Sequence, residues 1–172
     1  MTREERMLFE HLGQFVSDHK KAFVEQVVAQ RTRYVTVVLE NIYQSQNASA
    51  VVRTCECLGL QDLHIIEDTA QYHLNIRVLK GSYKWMNLMR YKAKEINNTE
   101  ACFNHLRDQG YRILVADPAA DGISIDDLDV HAGKMALVFG NELRGASGYV
   151  LQQADEKIRI PMFGFTESFN VS

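Results

Sequence analysis

The sequence has 172 residues, of which 46% are hydrophobic and 24% charged, and a formal net charge of −3. That size fits one domain with a respectable core, and no segment approaches the roughly 18 uninterrupted apolar residues of a membrane helix. The acidic average argues against holding nucleic acid by bulk electrostatics.

The first residues, MTREERMLFE, carry three acidic side chains and no apolar run, unlike a signal peptide. Apolar positions Met7, Leu8, Leu12 and Phe15, then Phe23, Val24, Val27 and Val28, predict two short amphipathic helices. A break over residues 13–19 separates them, with Ser17 and Asp18 able to cap the second. From Tyr34 the run Tyr34-Val35-Thr36-Val37-Val38-Leu39 is continuous and β-branched, the signature of a strand covered on both faces. Residues 1–33 are thus expected to form a helical extension ahead of a domain over 34–172.

A polar loop, 40–46, leads to a helix whose start is marked by Asn47, a good N-cap. Ala50, Val51, Thr54, Cys57 and Leu58 are expected to line its buried side, and Gly59 to end it. The alternation then recurs: strand 63–66, helix 100–107, strand 111–116, strand 136–139, helix 147–154 and a short strand 158–160. Strands alternating with helices predict an α/β domain with a mainly parallel sheet.

Charge is unevenly placed. Residues 69–94 hold Arg77, Lys80, Lys84, Arg90, Lys92 and Lys94 and no acid, whereas 113–133 hold five aspartates and no base. The basic stretch is either a solvated face or a local phosphate-binding patch. Cys55, Cys57 and Cys102 form no disulfide framework and no zinc spacing, so no metal is expected and a reducing cytoplasm is.

In open α/β sheets ligands sit where strands end, and three post-strand loops are rich in small and polar residues: 40–54, 139–147 and 160–172. Neither a dinucleotide GxGxxG nor a Walker loop is present, nor a GxSxG elbow. Three motifs occur instead, in order. They are Asn47-x-Ser49-Ala50-x-x-Arg53-Thr54, Phe139-Gly140-Asn141-Glu142-x-x-Gly145, and Ile160-Pro161-Met162-x-Gly164-x-x-Glu167-Ser168-Phe169-Asn170-Val171-Ser172. Together they resemble the SpoU family of RNA 2'-O-methyltransferases, and Lys80-Gly81-Ser82-Tyr83-Lys84-Trp85 resembles its tRNA-modifying branch. Phe169 stands where the family usually has leucine.

The resemblance implies a C-terminal deep trefoil knot, a rare exception to the rule against threading. The third motif runs to Ser172, while family members continue into a further helix, so an incomplete knot is expected in this chain. It also implies S-adenosylmethionine as methyl donor, bound by backbone around Ala116, Gly140, Ile160, Met162 and Phe169, with Gly140 and Gly164 allowing close approach. Ile160 and Met162 could equally be core.

Arg53 matches the family's essential arginine; a neutral Arg53 could act as base, or its guanidinium could bind phosphate and stabilise alkoxide. Asn47, Glu142, Ser168 and Asn170 match the remaining polar positions. Asn47 could be only a cap, and Ser168 and Asn170 turn formers. Arg31, Arg33, Lys84 and Trp85 are candidate RNA contacts. A homodimer is implied, with Arg53 able to serve the neighbouring subunit. The expected substrate is a guanosine in the tRNA D loop; ribosomal RNA, another tRNA site, or a non-catalytic assembly role are the alternatives.

Overall fold

The computed structural model describes residues 1–73, 75–118, 121–166 and 168–172. Glu167 of the third motif lies outside the described residues. The chain divides into two units, Met1–Arg31 and Thr32–Ser172.

The first unit holds α1 (Arg3–Gly13) and α2 (Asp18–Ala29). Helix α1 opens with reciprocal capping: the Glu5 N–H donates to Thr2 Oγ1 at 3.2 Å and the Thr2 N–H to Glu5 Oε2 at 2.6 Å. This satisfies two of the amides that every helix start leaves orphaned. Ser17 caps α2 by accepting from the Lys20 N–H.

The second unit is a seven-stranded parallel sheet flanked by helices. Its elements are β1 (Val35–Glu40), α3 (Ser45–Cys57), β2 (Asp62–Ile66), α4 (Ile76–Leu79), β3 (Asn87–Tyr91), α5 (Asn98–Asp108), β4 (Arg112–Ala116), β5 (Ile123–Ser124), β6 (Met135–Phe139), α6 (Gly148–Gln153) and β7 (Glu156–Arg159). The order is β3-β2-β1-β6-β4-β7-β5, and every pairing is parallel. Strand side chains alternate between faces. Val37, Leu39, Leu63 and Ile65 pack under α3 through Ala48, Val51, Val52 and Cys55. Val38, Ile66, Ile113, Val115 and Val138 pack on the opposite face under Cys102, Phe103 and Leu106 of α5 and Val150 of α6.

Two sequence expectations change here. Helix α3 begins at Ser45 with Gln44 as its N-cap residue, so Asn47 is inside the first turn rather than capping it. Its buried face is also rotated: Asn47, Ala48, Ser49, Val51, Val52 and Cys55 point inward, while Thr54, Cys57 and Leu58 are exposed. The cause is that Asn47 and Ser49, polar and therefore read as outward, find hydrogen-bond partners inside. Residues 87–91, read only as part of a basic stretch, form the edge strand β3. Its Arg90 is ion-paired to the buried Glu67 at 2.6 Å.

Candidate cofactor cavity and the arginine surface

The sheet's centre ends in a hub of side chains. Glu40, the last residue of β1 and only 2% exposed, accepts from the Ser147 N–H at 2.9 Å and the Ser147 hydroxyl at 2.5 Å. Ser147 also caps α6. Asn41 follows in the left-handed region with φ 52°. Its Oδ1 accepts from the N–H groups of Asp68 and Thr69 at 2.8 and 2.9 Å, and its carbonyl accepts from Asn141 Nδ2 at 2.7 Å. A positive φ at a non-glycine residue persists only when its surroundings over-determine it, and here the bonds from β2's exit and β6's exit supply that.

The loop after β6 is equally constrained. Asn141 and Gly145 exchange backbone hydrogen bonds at 2.9 and 2.8 Å, and Asn141 Oδ1 accepts from the Leu143 and Arg144 N–H groups. This folds Gly140 so tightly onto Ala146 that a Cβ built on Gly140 would sit 2.2 Å from the Ala146 nitrogen. Glu142 then reaches across to the start of α3. Its carboxylate accepts from the Tyr43 N–H at 2.9 Å, the Gln44 N–H at 3.3 Å and Asn47 Nδ2 at 3.1 Å. Burial alone would raise this carboxyl; the bonds from Tyr43, its own backbone, Asn47 and Gln44 outweigh it and hold Glu142 below its ordinary value.

Against this loop lies a cavity of about 650 Å³ at the carboxyl ends of β4, β6 and β7. Ala116, Gly140, Ile160, Met162 and Phe169 line it, as do Glu142, Ser168 and Asn170. Leu137, Phe139 and Ile158 give it an apolar floor; Val171 also lines it and packs, as Leu137 and Phe139 do, against the core cluster under α3. The close approach expected at Gly164 is absent: a Cβ there would meet only the Thr166 nitrogen, at 4.0 Å. Asn47 belongs to this assembly through Glu142.

Arg53 is elsewhere. It is exposed, donates from Nη1 to the Val78 carbonyl at 3.4 Å, and lines a separate cavity of about 270 Å³ with Glu56, Lys80 and Trp85. Trp85, 61% exposed, ends a 3-10 turn over Ser82–Trp85 that also exposes Lys84. Arg33 is ion-paired to Asp62 at 2.8 Å, and Arg31 belongs to the helical unit.

Sequence reasoning missed Glu40, Asn41 and the Asn141 side chain as organisers, and Asp117 and Arg159 as cavity residues. A carboxylate ending a continuous apolar run was the available signal for Glu40. Among the described residues, no cluster of three or more His, Cys, Asp or Glu could hold a metal ion, and no helix is long and apolar enough to cross a membrane.

Residues 34–172 match the model of the SpoU rRNA Methylase family. A tRNA (guanosine(18)-2'-O)-methyltransferase of Borreliella burgdorferi is 45% identical over 161 residues, 94% of this chain and 71% of that protein. One of the same name from Thermus thermophilus is 29% identical over 156 residues, 91% and 77% of the two chains. The crystal structure of an A. aeolicus TrmH/SpoU tRNA modifying enzyme superposes with a TM-score of 0.76 at 27% identity, covering 90% of this chain and 76% of that one. The fold is shared with AviRb of Streptomyces viridochromogenes, solved in complex with AdoMet (TM-score 0.68, 21% identity, 85% and 55% of the chains). Motif residues, sheet and relatives agree: this chain belongs to the SpoU methylase family.

Proposed function

We propose that this chain transfers a methyl group from S-adenosylmethionine to the ribose 2'-oxygen of a guanosine in the D loop of tRNA, position 18 in the numbering its relatives' names carry. The observation that carries this reading is the meeting of the loops after β4, β6 and β7 at one apolar-floored cavity.

The cavity fits such a donor. Gly140, folded tightly onto Ala146, is one of its walls, and the lining offers both apolar and polar residues. Ala116, Gly140, Ile160, Met162 and Phe169 would hold the adenine and amino-acid portions. Once bound, the sulfonium supplies an electrophilic methyl group. In this reading the segment from Ile160 on is the threaded part of a trefoil knot, supported by Val171, which packs against the core cluster under α3.

Arg53 positions the RNA. A guanidinium is a poor base, so Arg53 binds the phosphate beside the target ribose and stabilises charge developing on the 2'-oxygen. The proton leaves to a phosphate oxygen or water. Because Arg53 lines a cavity separate from its own chain's large one, it serves that of a second copy, and the working unit is a homodimer. Glu142 is occupied by three donors and acts with Asn47, Ser168 and Asn170 by fixing loops. Lys84, Trp85, Arg31 and Arg33 supply local RNA contacts that the acidic average hides, phosphate and 2'-hydroxyl contacts being sufficient for a folded RNA. The enzyme works in the cytoplasm, where its substrate is.

The test is transfer of label from S-adenosylmethionine to unmodified tRNA transcripts. Wild-type protein should label the transcript, and both Arg53→Ala and a G-to-A change at the target should abolish it. Labelling of ribosomal RNA alone would move the substrate assignment; cofactor binding with no transfer to any RNA would favour an assembly role.

A further inference from the structure

Ser49 of the first motif stands one helical turn before Arg53 on α3, and residues four apart share a helix face. It is fully buried, yet its hydroxyl has two partners outside the helix. Ser49 Oγ accepts from the Asn75 N–H at 3.1 Å and lies 3.2 Å from the Tyr72 hydroxyl. Asn75 in turn caps α4, its Oδ1 accepting from the Val78 N–H at 3.4 Å. The Val78 carbonyl, one of those that a helix end leaves without an intrahelical partner, accepts from Arg53 Nη1 at 3.4 Å. One face of α3 thus grips the four-residue α4 twice, through Ser49 at its start and through Arg53 near its end.

So short a helix does not persist alone, and α4 takes its place from its surroundings. Leu79 anchors it in the core cluster that holds Tyr72, Ala48 and Val52. Polar bonds from the sheet edge do the rest. The Tyr72 N–H donates to Glu67 Oε1 at 2.7 Å, directly after β2. Arg90 of β3 donates from Nη2 to the same carboxylate at 2.6 and 2.9 Å and to the Tyr72 carbonyl at 2.9 Å. Its guanidinium carbon also stands 5.8 Å from the centre of the Tyr72 ring. A continuous path therefore runs from β2 and β3 through Tyr72, Ser49, Asn75 and Val78 to Arg53.

We propose that Ser49 and Tyr72 are positioning residues for Arg53: their hydroxyls set the place of the Val78 carbonyl, and with it the direction in which the guanidinium is offered to RNA. The inference rests on the role given to Arg53 in the methyltransferase reading and deepens it by naming how that side chain is prepared. A long exposed side chain loses rotamer freedom when RNA immobilises it. A carbonyl that already holds one Nη leaves the other donors of the planar fork oriented for a phosphate. Ser49 and Tyr72 are buried, so they act only through Arg53.

The test is a double-mutant cycle on the full chain. Ser49→Ala removes both bonds of the hydroxyl; Tyr72→Phe removes one and keeps the ring against Arg90. Ser49→Ala should lower kcat for labelled methyl transfer to tRNA about 10- to 100-fold, the penalty of a misplaced group, and Tyr72→Phe by less. KM for S-adenosylmethionine should stay within about twofold in both, because the donor cavity is untouched. In filter binding each change should weaken tRNA by about threefold or more when Arg53 is present, and by less than about twofold in the Arg53→Ala background. Equal weakening in both backgrounds, or wild-type kcat in a folded Ser49→Ala or Tyr72→Phe, overturns this inference and leaves the methyltransferase reading standing. Should Ser49→Ala fail to fold, Tyr72→Phe alone decides. No methyl transfer to any tRNA by wild-type protein removes both.

Discussion

Glu142 Oε1 accepts a hydrogen bond from Asn47 Nδ2 at 3.1 Å, joining the loop after β6 to the first turn of α3. The same carboxylate takes the Tyr43 and Gln44 N–H groups. It thus ties the turn before α3 and the Asn47 side chain to a distant part of the chain, at a helix start where Gln44 offers no side-chain cap of its own.

Glu142→Ala should lower stability by about 1–3 kcal/mol, the cost of leaving part-buried donors without their charged acceptor. A pH series carries a second signature. The folded carboxyl lies below its ordinary value, so its contribution is present above that ordinary value and fades as pH falls through the folded one. Denaturant titration across acid pH should show the wild type losing more stability than the variant over that range; parallel curves would contradict a stabilising role for the Glu142 bonds.

Gly140→Ala places a methyl group 2.2 Å from a backbone nitrogen, which no side-chain rotation relieves. Overpacking of this kind costs about 1–3 kcal/mol, and the loop that yields is a wall of the large cavity. Calorimetric titration with S-adenosylmethionine should show affinity lost in a protein whose circular dichroism is unchanged. Wild-type affinity would mean that the donor does not lean on this loop.

Arg53 and Asn170 line different cavities. Under the proposed arrangement Arg53→Ala and Asn170→Ala are each inactive alone, yet a mixed dimer carries one site with both residues intact. Co-refolding equal amounts should restore about a quarter of wild-type turnover for a random two-fold assembly. No recovery in a confirmed mixed dimer would place Arg53 and the cavity in the same subunit's site.

His64 gives a prediction independent of function. It is 1% exposed on β2, its Nδ1 lies 3.1 Å from the Tyr91 hydroxyl, and His105 stands 5.8 Å away. Burial first, then His105, pushes its pKa down from 6.5 to about 4. Above pH 6.5 both folded and unfolded states are neutral and nothing changes. Between 6.5 and about 4 only the unfolded chain takes the proton, so stability falls with pH, by up to about 3 kcal/mol. His64→Phe should flatten that part of the stability curve.

The lessons for reading the sequence are local. The run from Tyr34 to Leu39 announced the central strand because burial on both faces leaves no room for alternation. The motif residues of the second and third loops came together because a parallel sheet aligns its carboxyl ends. Helix α3 misled because Asn47 and Ser49 are buried with partners, at Glu142 and at the Tyr72 hydroxyl 3.2 Å away, and those partners are far off in sequence. Strand β3 escaped notice because an edge strand buries little: Asn87 and Arg90 are exposed and read as solvated. Glu40 and Asn41 looked like loop until the exits of β2 and β6 were seen to close on them.

The wholly parallel order has a price in time. No neighbouring strands can pair through a hairpin, and the middle of the sheet joins Val35 to Met135 across a hundred residues. Such non-local closure slows folding relative to chains of local contacts. During synthesis β1 and β2 can pair early, but the centre waits for Met135–Phe139 to leave the ribosome, with the other edge of β1 left without its backbone partner until then.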